Sequence, residues 1–492
     1  MEEILLQNQD DLQTHRKTKI VATIGPASRE PEKLKALLLA GVNVCRLNFS
    51  HGTHDEHSEV LARIRTISEE LDLPVAILQD LSGPKIRISE VDSNNALLVD
   101  GEEVLLKHAK EGIDNISSAS EIFIQQIHPQ TFLKVDDQVL LADGFIELQV
   151  TDVSESSVKC TVSKGGVLRS KVGAAFPGSE IDLPATTDKD LRDLSWGIEN
   201  GVDYVAISFV NSAMDVLLLR DEINRQGGTA KIIAKIERKG ALRNINEILN
   251  VSDGLMVARG DLGLELPLEK VPRAQRRLIE EANFRGIPVI VATQMMHSMV
   301  KSRRPTRAEV SDIATAVKEG ADALMLSEET AIGDNPVLAV SHLGRIAKEV
   351  EIEFDFHEYR PRLKNADSET IPDSVAYAAA AAALKIGADA LIACTETGNS
   401  ARLIAKYRPQ QPLYGASSSP HTIRRMCLFW GVQPVLLTPS EPTHEDELEN
   451  ALLTVQDFGK FDNGCRAVIT AGLSARTPGS TSRLEIREMS SL

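Results

Sequence analysis

KIIAKIERKGALRNINEILNVSDGLMVARGDLG, residues 231–263, reads as a buried strand, a helix, a second buried strand and a glycine-rich turn. Each strand ends on charge: Lys235 and Glu237 close the first, and Arg259 and Asp261 follow the second. Side chains alternate faces along a strand, so Lys235 and Glu237 point the same way. An ammonium beside a carboxylate, with Asp261 arriving from the next strand, is a site for a metal ion and an anion. The structural alternative is a buried ion pair followed by a turn.

The same rhythm extends outward from this stretch. Besides 232–237, apolar runs of strand length occur at 20–25, 42–49, 75–81, 204–210, 255–259, 289–295 and 323–327, with amphipathic segments such as Glu32–Ala40 and Ala274–Phe284 between most of them. Strands apolar on both faces and separated by helices describe a parallel sheet covered by helices. Roughly eight such units over about 250 residues fit a (β/α)8 TIM barrel better than an open doubly wound sheet. Between Leu81 and Leu191 the helical period vanishes, and short β-rich pieces with turn signals take over (VDGEEVLL, KVDDQVLLADGFIELQV, SSVKCTVSKGGVLRSKVG). That is an all-β insertion leaving the barrel after its third strand, placed where it can cover the C-terminal face. A charged, irregular linker at Glu351–Pro372 precedes a further alternating α/β region. The predicted domains are a first barrel part (1–83), an inserted β-barrel lid (84–182), a second barrel part (183–352) and a C-terminal α/β domain (353–492).

A formal net charge of -17 argues against a nucleic-acid or membrane-surface partner, so an anionic substrate needs a local basic pocket. Five scattered cysteines, odd in number and never in C-x-x-C, suggest a reducing compartment. The first residues are polar and acidic, without a signal-peptide core. The alanine run Ala378–Ala383 is interrupted by Lys385 and Asp389 too soon for a membrane span. A soluble, cytoplasmic protein is expected.

The strand ends carry Arg46, Asn48 and Ser50, then Asp80 with Lys85 and Arg87 beyond it, Ser208, Lys235 with Glu237, Asp261, Thr293, and Ser327 with Glu329. Buried polar groups cost several kcal/mol unless satisfied, so a core gains nothing from so many at one end. The cations suit phosphate and carboxylate. Glu237 and Asp261 are hard oxygen ligands for Mg²⁺ or Mn²⁺. Such equipment serves phosphoryl transfer, where a protein mainly positions and neutralises charge. Neither a P-loop nor a protein-kinase motif set is present. A Schiff-base aldolase using Lys235, or a non-catalytic sugar-phosphate sensor, are the alternatives.

KTKIVATIGPAS, RLNFSHG, GPKIR, AKIERKGAL, DGLMVARGDLGLELP, ATQM and PTRAEVSDIATAV…LSEETA closely resemble the pyruvate kinase family, from about Lys17 onward. The resemblance implies transfer of a phosphoryl group from phosphoenolpyruvate to ADP, giving pyruvate and ATP, on a barrel with an inserted lid and a C-terminal effector domain, usually in a homotetramer. It implies that Arg46 grips the substrate phosphate, Lys235 stabilises the phosphoryl group in flight, and Glu237 and Asp261 hold Mg²⁺. The backbone at Gly260, with Thr293, seats the carboxylate. Arg87 and His51 contact the nucleotide. Thr293, Ser327 and water form the proton relay, with the final donor open. In the C-terminal domain, Thr395, Thr397, Gly398, Ser400 and Arg476 are expected to take the phosphate of an effector: fructose 1,6-bisphosphate, ribose 5-phosphate and AMP remain open.

The sequence departs from the family pattern in several places. Members often bind K⁺ through residues matching Asn48, Ser50, Asp80 and a hydroxyl at position 81; here position 81 is Leu, and a usual Glu is Lys85. An ammonium on a long stem can stand in for a monovalent cation. Lys171-Val172-Gly173 puts the lid's usual Lys-Gly pair one residue out of register, His297 replaces a Glu, and Glu328 a small residue. With Lys85 in place of K⁺, activity in K⁺-free buffer is expected to match activity with K⁺ added; strong activation by K⁺ would refute this reading.

Overall fold

The computed structural model describes residues 16–110, 114–179, 181, 183–354, 370–438, 444–472 and 481–489. All eight apolar runs form strands: β1 (Lys19–Thr23), β2 (Val44–Asn48), β3 (Ala76–Asp80), β4 (Tyr204–Ile207), β5 (Lys231–Ile236), β6 (Gly254–Ala258), β7 (Val289–Ala292) and β8 (Ala323–Leu326). Each pairs in parallel with its sequence neighbours, and β8 closes on β1 with Lys19 opposite Ala323. The closed eight-stranded barrel replaces the open sheet as the only fold consistent with this pairing. Every strand is buried almost throughout because side chains fill the interior and helices cover the outside, which explains the near-continuous apolar runs.

The strands are shorter than their apolar runs. β4 stops before Phe209 and β7 before Thr293 and Gln294, all three with positive φ (57°, 71° and 55°). Such backbone is uncommon outside glycine and swings the chain outward at the barrel's C-terminal rim. One local expectation is corrected. ARGDLG is not a turn but the start of a short helix, Arg259–Glu265. Neither Gly260 nor Gly263 takes a positive φ, and buried Leu262 anchors the helix to the core.

The insertion folds around its own apolar core, which includes Val104, Leu106, Ile122, Leu148, Val150 and Val162. Its main sheet has six strands, with Ile146–Val153 and Val158–Lys164 at the centre. Its two connections to the barrel meet at one carboxylate. Asp190, fully buried, accepts hydrogen bonds from the Gly83 amide (3.0 Å) on the outgoing chain, and from the Thr187 amide (2.8 Å) and hydroxyl (2.7 Å) on the returning one. Gly83 has φ +64°, and a Cβ there would lie 2.9 Å from Ser208 and Phe209 side-chain atoms, so only glycine fits the crossing.

The C-terminal domain is a five-stranded sheet, parallel except for its last strand, Thr481–Glu488. It seats on the N-terminal ends of the barrel strands. Buried Arg408 reaches Asp322, just before β8, at 2.8 Å, and Arg424 reaches Asp203, just before β4, at 2.8 Å. Lys19 Nζ donates to the Val432 carbonyl (2.6 Å) and the Tyr204 hydroxyl to the Arg425 carbonyl (2.7 Å). The barrel is thus closed at one end by this domain, leaving the other for chemistry. All five cysteines are free, and no described helix is long and apolar enough to cross a membrane. Asp190→Ala is expected to strand three donors, the Gly83 amide buried and the two of Thr187 half-buried, at a cost of about 1–3 kcal/mol. Hydrogen exchange at 83–86 and 185–187 should then rise while the barrel strands stay protected.

Candidate active site

The C-terminal rim gathers the charges that the strand ends supply. Arg46, at the third position of β2, donates to Asp80 Oδ2 (2.7 Å) and to the Thr23 hydroxyl (2.9 Å). Lys235, on β5, is held on three sides: Ser208 Oγ accepts from its Nζ at 2.7 Å, Glu237 Oε1 lies at 2.9 Å, and Asp80 Oδ1 forms an ion pair at 3.2 Å. Ser208 gives its own proton to the Leu81 carbonyl (2.7 Å), so toward Lys235 it can only accept. The alternation that placed Lys235 and Glu237 on one face is therefore realised as a direct contact.

Burial works against the charge on Lys235, but Asp80 and Glu237 outweigh it and the pKa rises above the ordinary lysine value. Burial would raise the Asp80 pKa, yet Lys235 and Arg46 bring it below the usual range. Glu237 is pushed up by burial and further by the nearby Asp261 carboxylate, against the pull of Lys235. Its second oxygen accepts from the Phe209 amide (2.7 Å), which the left-handed backbone at Phe209 aims inward. A Schiff-base reaction needs a neutral amine, and an ammonium clamped between two carboxylates is the opposite environment.

Glu237 and Asp261 both line a cavity of about 570 Å³ between barrel and lid, together with Lys85, Asp143, Gly173 and Arg238. Two carboxylates that repel one another at the edge of an open cavity fit a divalent cation that takes its remaining ligands from substrate and water. Among the described residues no three acidic, His or Cys side chains converge on one point.

Thr293 sits opposite. Its hydroxyl accepts from the Gly260 amide (2.7 Å) and donates to the Ala292 carbonyl (2.6 Å). Arg259 secures its strained backbone by donating to the Thr293 carbonyl (2.8 Å), and is itself paired with Asp312 (2.6 Å). The Ser327 amide donates to Glu329 (2.8 Å), whereas its buried hydroxyl has no hydrogen-bond partner among the described residues.

The remaining candidates are more dispersed. Arg87 donates to the Lys171 carbonyl (2.9 Å) at the lid's root. Partial burial, then Arg87, Arg46 and Lys85, lower the pKa of the His51 ring. Asn48 Oδ1 accepts from the Ser50 amide (3.2 Å), and Asp80 is taken by Arg46 and Lys235. Lys85 makes no ion pair with Asp80; its carboxylate partners are Asp143 and Asp261, each at 3.7 Å. In the C-terminal domain, Thr395 Oγ1 accepts from the Gly398 amide (3.0 Å), Thr397 is exposed, and Ser400 bonds Thr481. Arg476 lies outside the described residues.

Three departures acquire partners. Lys171 points away from the cavity to Glu90 (2.7 Å). His297 and Glu328 meet each other at 3.3 Å, both exposed, so two unusual residues form one pair directed to solvent. Sequence reasoning assigned no role to Asp143, Arg238, Lys239 or Arg243, all of which line the cavity. The three cations were visible as a cluster in RKGALR, immediately after the strand that supplies Lys235; Asp143 had no such signal.

A parallel barrel whose open rim collects cations and carboxylates beneath an inserted β domain defines an enzyme that handles phosphoryl groups. Two family models match: "Pyruvate kinase, barrel domain" over residues 15–340 and "Pyruvate kinase, alpha/beta domain" over 373–487. Proteins named pyruvate kinase from Staphylococcus aureus strains MRSA252 and USA300 are each 41% identical over 475 residues, covering 96% of this chain and 80% of theirs. The chain belongs to the pyruvate kinase family, a phosphotransferase family whose substrates are phosphoenolpyruvate and ADP and which requires a divalent metal ion. Ser208→Ala removes the neutral acceptor from Lys235. A hydrogen bond to a charged group is worth about 1.5–3 kcal/mol, so kcat is expected to fall roughly 10- to 100-fold in a pyruvate-forming assay, with a smaller change in KM for phosphoenolpyruvate.

Proposed function

We propose that the chain performs Mg²⁺-dependent phosphoryl transfer through Arg46, Lys235, Glu237, Asp261 and Thr293. The observation carrying this reading is the Lys235 ammonium, fixed between Asp80, Glu237 and Ser208 beside the cavity that Asp261 lines. Arg46, braced by Asp80 and Thr23, presents its guanidinium to the substrate phosphate as a bidentate donor. Lys235 turns a proton from its present acceptors to the phosphoryl oxygens as they move between donor and acceptor. Glu237 and Asp261 would hold the divalent ion, which would supply positive charge to the phosphoryl oxygens.

The Gly260 amide and Thr293 hydroxyl, now bonded to each other, open toward the substrate carboxylate. Arg87 and His51 serve the nucleotide, with which a second Mg²⁺ would be bound. Thr293, Ser327 and water return a proton to the enolate; the Ser327 hydroxyl, without a partner among the described residues, supports its membership of that relay. The Lys85 ammonium places a positive charge at the rim, 3.7 Å from Asp261, which supports independence from K⁺. The loop 395–400 takes a phosphorylated effector, and the protein works as a cytoplasmic homotetramer.

A lactate-dehydrogenase-coupled assay with Mg²⁺, ADP and phosphoenolpyruvate tests this. Activity is expected to vanish on chelation and return with Mg²⁺ or Mn²⁺. Lys235→Met and Glu237→Gln should each lower kcat at least about 10³-fold, since each removes charge stabilisation concentrated in the transition state. Near-wild-type turnover in either variant would overturn the assignment.

A further inference from the structure

We infer that Lys85 is shared between the lid carboxylate Asp143 and the rim carboxylate Asp261, so that lid closure and divalent-ion binding are coupled through one ammonium. This rests on the reading of Asp261 as a metal ligand. Lys85 Nζ lies 3.7 Å from Asp143 Oδ1 and 3.7 Å from Asp261 Oδ1. The stem runs over Gly173, where a Cβ would meet Lys85 Cε at 3.1 Å and stand 3.8 Å from both Lys85 Nζ and Asp143 Oδ1. The absence of a side chain at Gly173 leaves the groove that the ammonium and its lid partner occupy.

The two partners stand on different bodies. Asp261 belongs to the barrel helix Arg259–Glu265, whereas Asp143 is at the tip of the lid hairpin between Gln138–Leu141 and Ile146–Val153. The hairpin tip has an unusual backbone: Ala142, Asp143 and Gly144 all have positive φ (52°, 53° and 83°). Two of them are not glycine, an expensive arrangement that is held by bonds from the Ala142 amide to the Gly173 carbonyl (3.0 Å) and from the Phe145 amide to the Ala142 carbonyl (3.2 Å). The turn directs Asp143 into the cleft, and a Cβ on Gly144 would stand 3.2 Å from Leu264 of the helix that carries Asp261. The lid tip therefore rests on the barrel beside the proposed metal ligand.

Lys85 follows Gly83 by two residues, and the Gly83 amide is fixed by Asp190. It thus stands at the lid's root, near the pivot, while Asp143 travels with the tip. Raising the lid carries Asp143 away and leaves the ammonium to Asp261, where it opposes a divalent ion by direct repulsion and by occupying the carboxylate. Lowering the lid brings back Asp143, which draws off part of that charge. The Lys85, Asp143 and Asp261 side chains are 34%, 69% and 29% exposed, so each pair is weak alone and screened by salt. A small shift in lid position is then enough to redistribute the ammonium.

The test is Mn²⁺ binding to the full-length protein without substrates, read as free Mn²⁺ by electron paramagnetic resonance. Lys85→Gln is expected to bind Mn²⁺ about 3- to 5-fold more tightly, the range a partly exposed ion pair allows. Asp143→Asn, which leaves Lys85 to Asp261, should bind more weakly. The double variant should match Lys85→Gln alone, because without the ammonium the lid carboxylate has nothing to draw away. All differences should shrink between about 0.05 and about 0.5 M NaCl. Unchanged or weaker binding by Lys85→Gln, or tighter binding by Asp143→Asn, overturns the coupling. Asp261→Asn separates the two readings. If it binds Mn²⁺ like the parent, the metal assignment itself fails; if it loses Mn²⁺ while Lys85→Gln gains nothing, only the coupling fails.

Discussion

A buried ammonium must be surrounded or it will not stay charged. Lys235 is enclosed by barrel walls, and three acceptors from three strand ends converge on it: Asp80 closing β3, Ser208 after β4 and Glu237 after β5. Each acceptor has a second obligation. Asp80 holds Arg46, Ser208 holds the Leu81 carbonyl, and Glu237 receives the Phe209 amide. The rim is consequently one network in which positive and negative groups fix one another's direction, and few members can move alone. Such preorganisation is what phosphoryl transfer asks of a protein, because the charge it must meet is spread over several oxygens at known positions.

Much of this arrangement was legible in the residues. Period-two alternation put Lys235 and Glu237 together, and uninterrupted apolar runs marked strands buried on both faces. The β-rich stretch after Leu81 stood out because it lacked helical period. What escaped reading depended on backbone conformation or on distant partners. ARGDLG looked like a turn because it is rich in glycine; instead the glycines lie in a short helix, Arg259–Glu265, anchored by buried Leu262. Left-handed residues at the ends of β4 and β7 include Phe209, Thr293 and Gln294, types that carry no such signal. Asp143 is remote in sequence from every residue it meets, and Lys85 was expected near Asn48, Ser50 and Asp80 but pairs with Asp143 and Asp261.

The departures from the family pattern illustrate the same limit. His297 and Glu328 each looked anomalous alone, yet they face one another, so each supplies the other's partner. Lys171, one place out of register, turns to Glu90, while its carbonyl still anchors Arg87. At the opposite end of the barrel, Asp203 and Asp322 begin strands and receive Arg424 and Arg408. The C-terminal domain is thereby wired to the starts of β4 and β8, the strands whose far ends carry Ser208 and Ser327.

The meeting of both lid crossings on Asp190 bears on how the chain was assembled. Because the outgoing and returning segments arrive at one side chain, a whole β domain is inserted without prising the barrel apart. Its removal would leave two ends that a short peptide can rejoin. The lid is thus a graft on an otherwise continuous barrel, and Asp190 marks the seam.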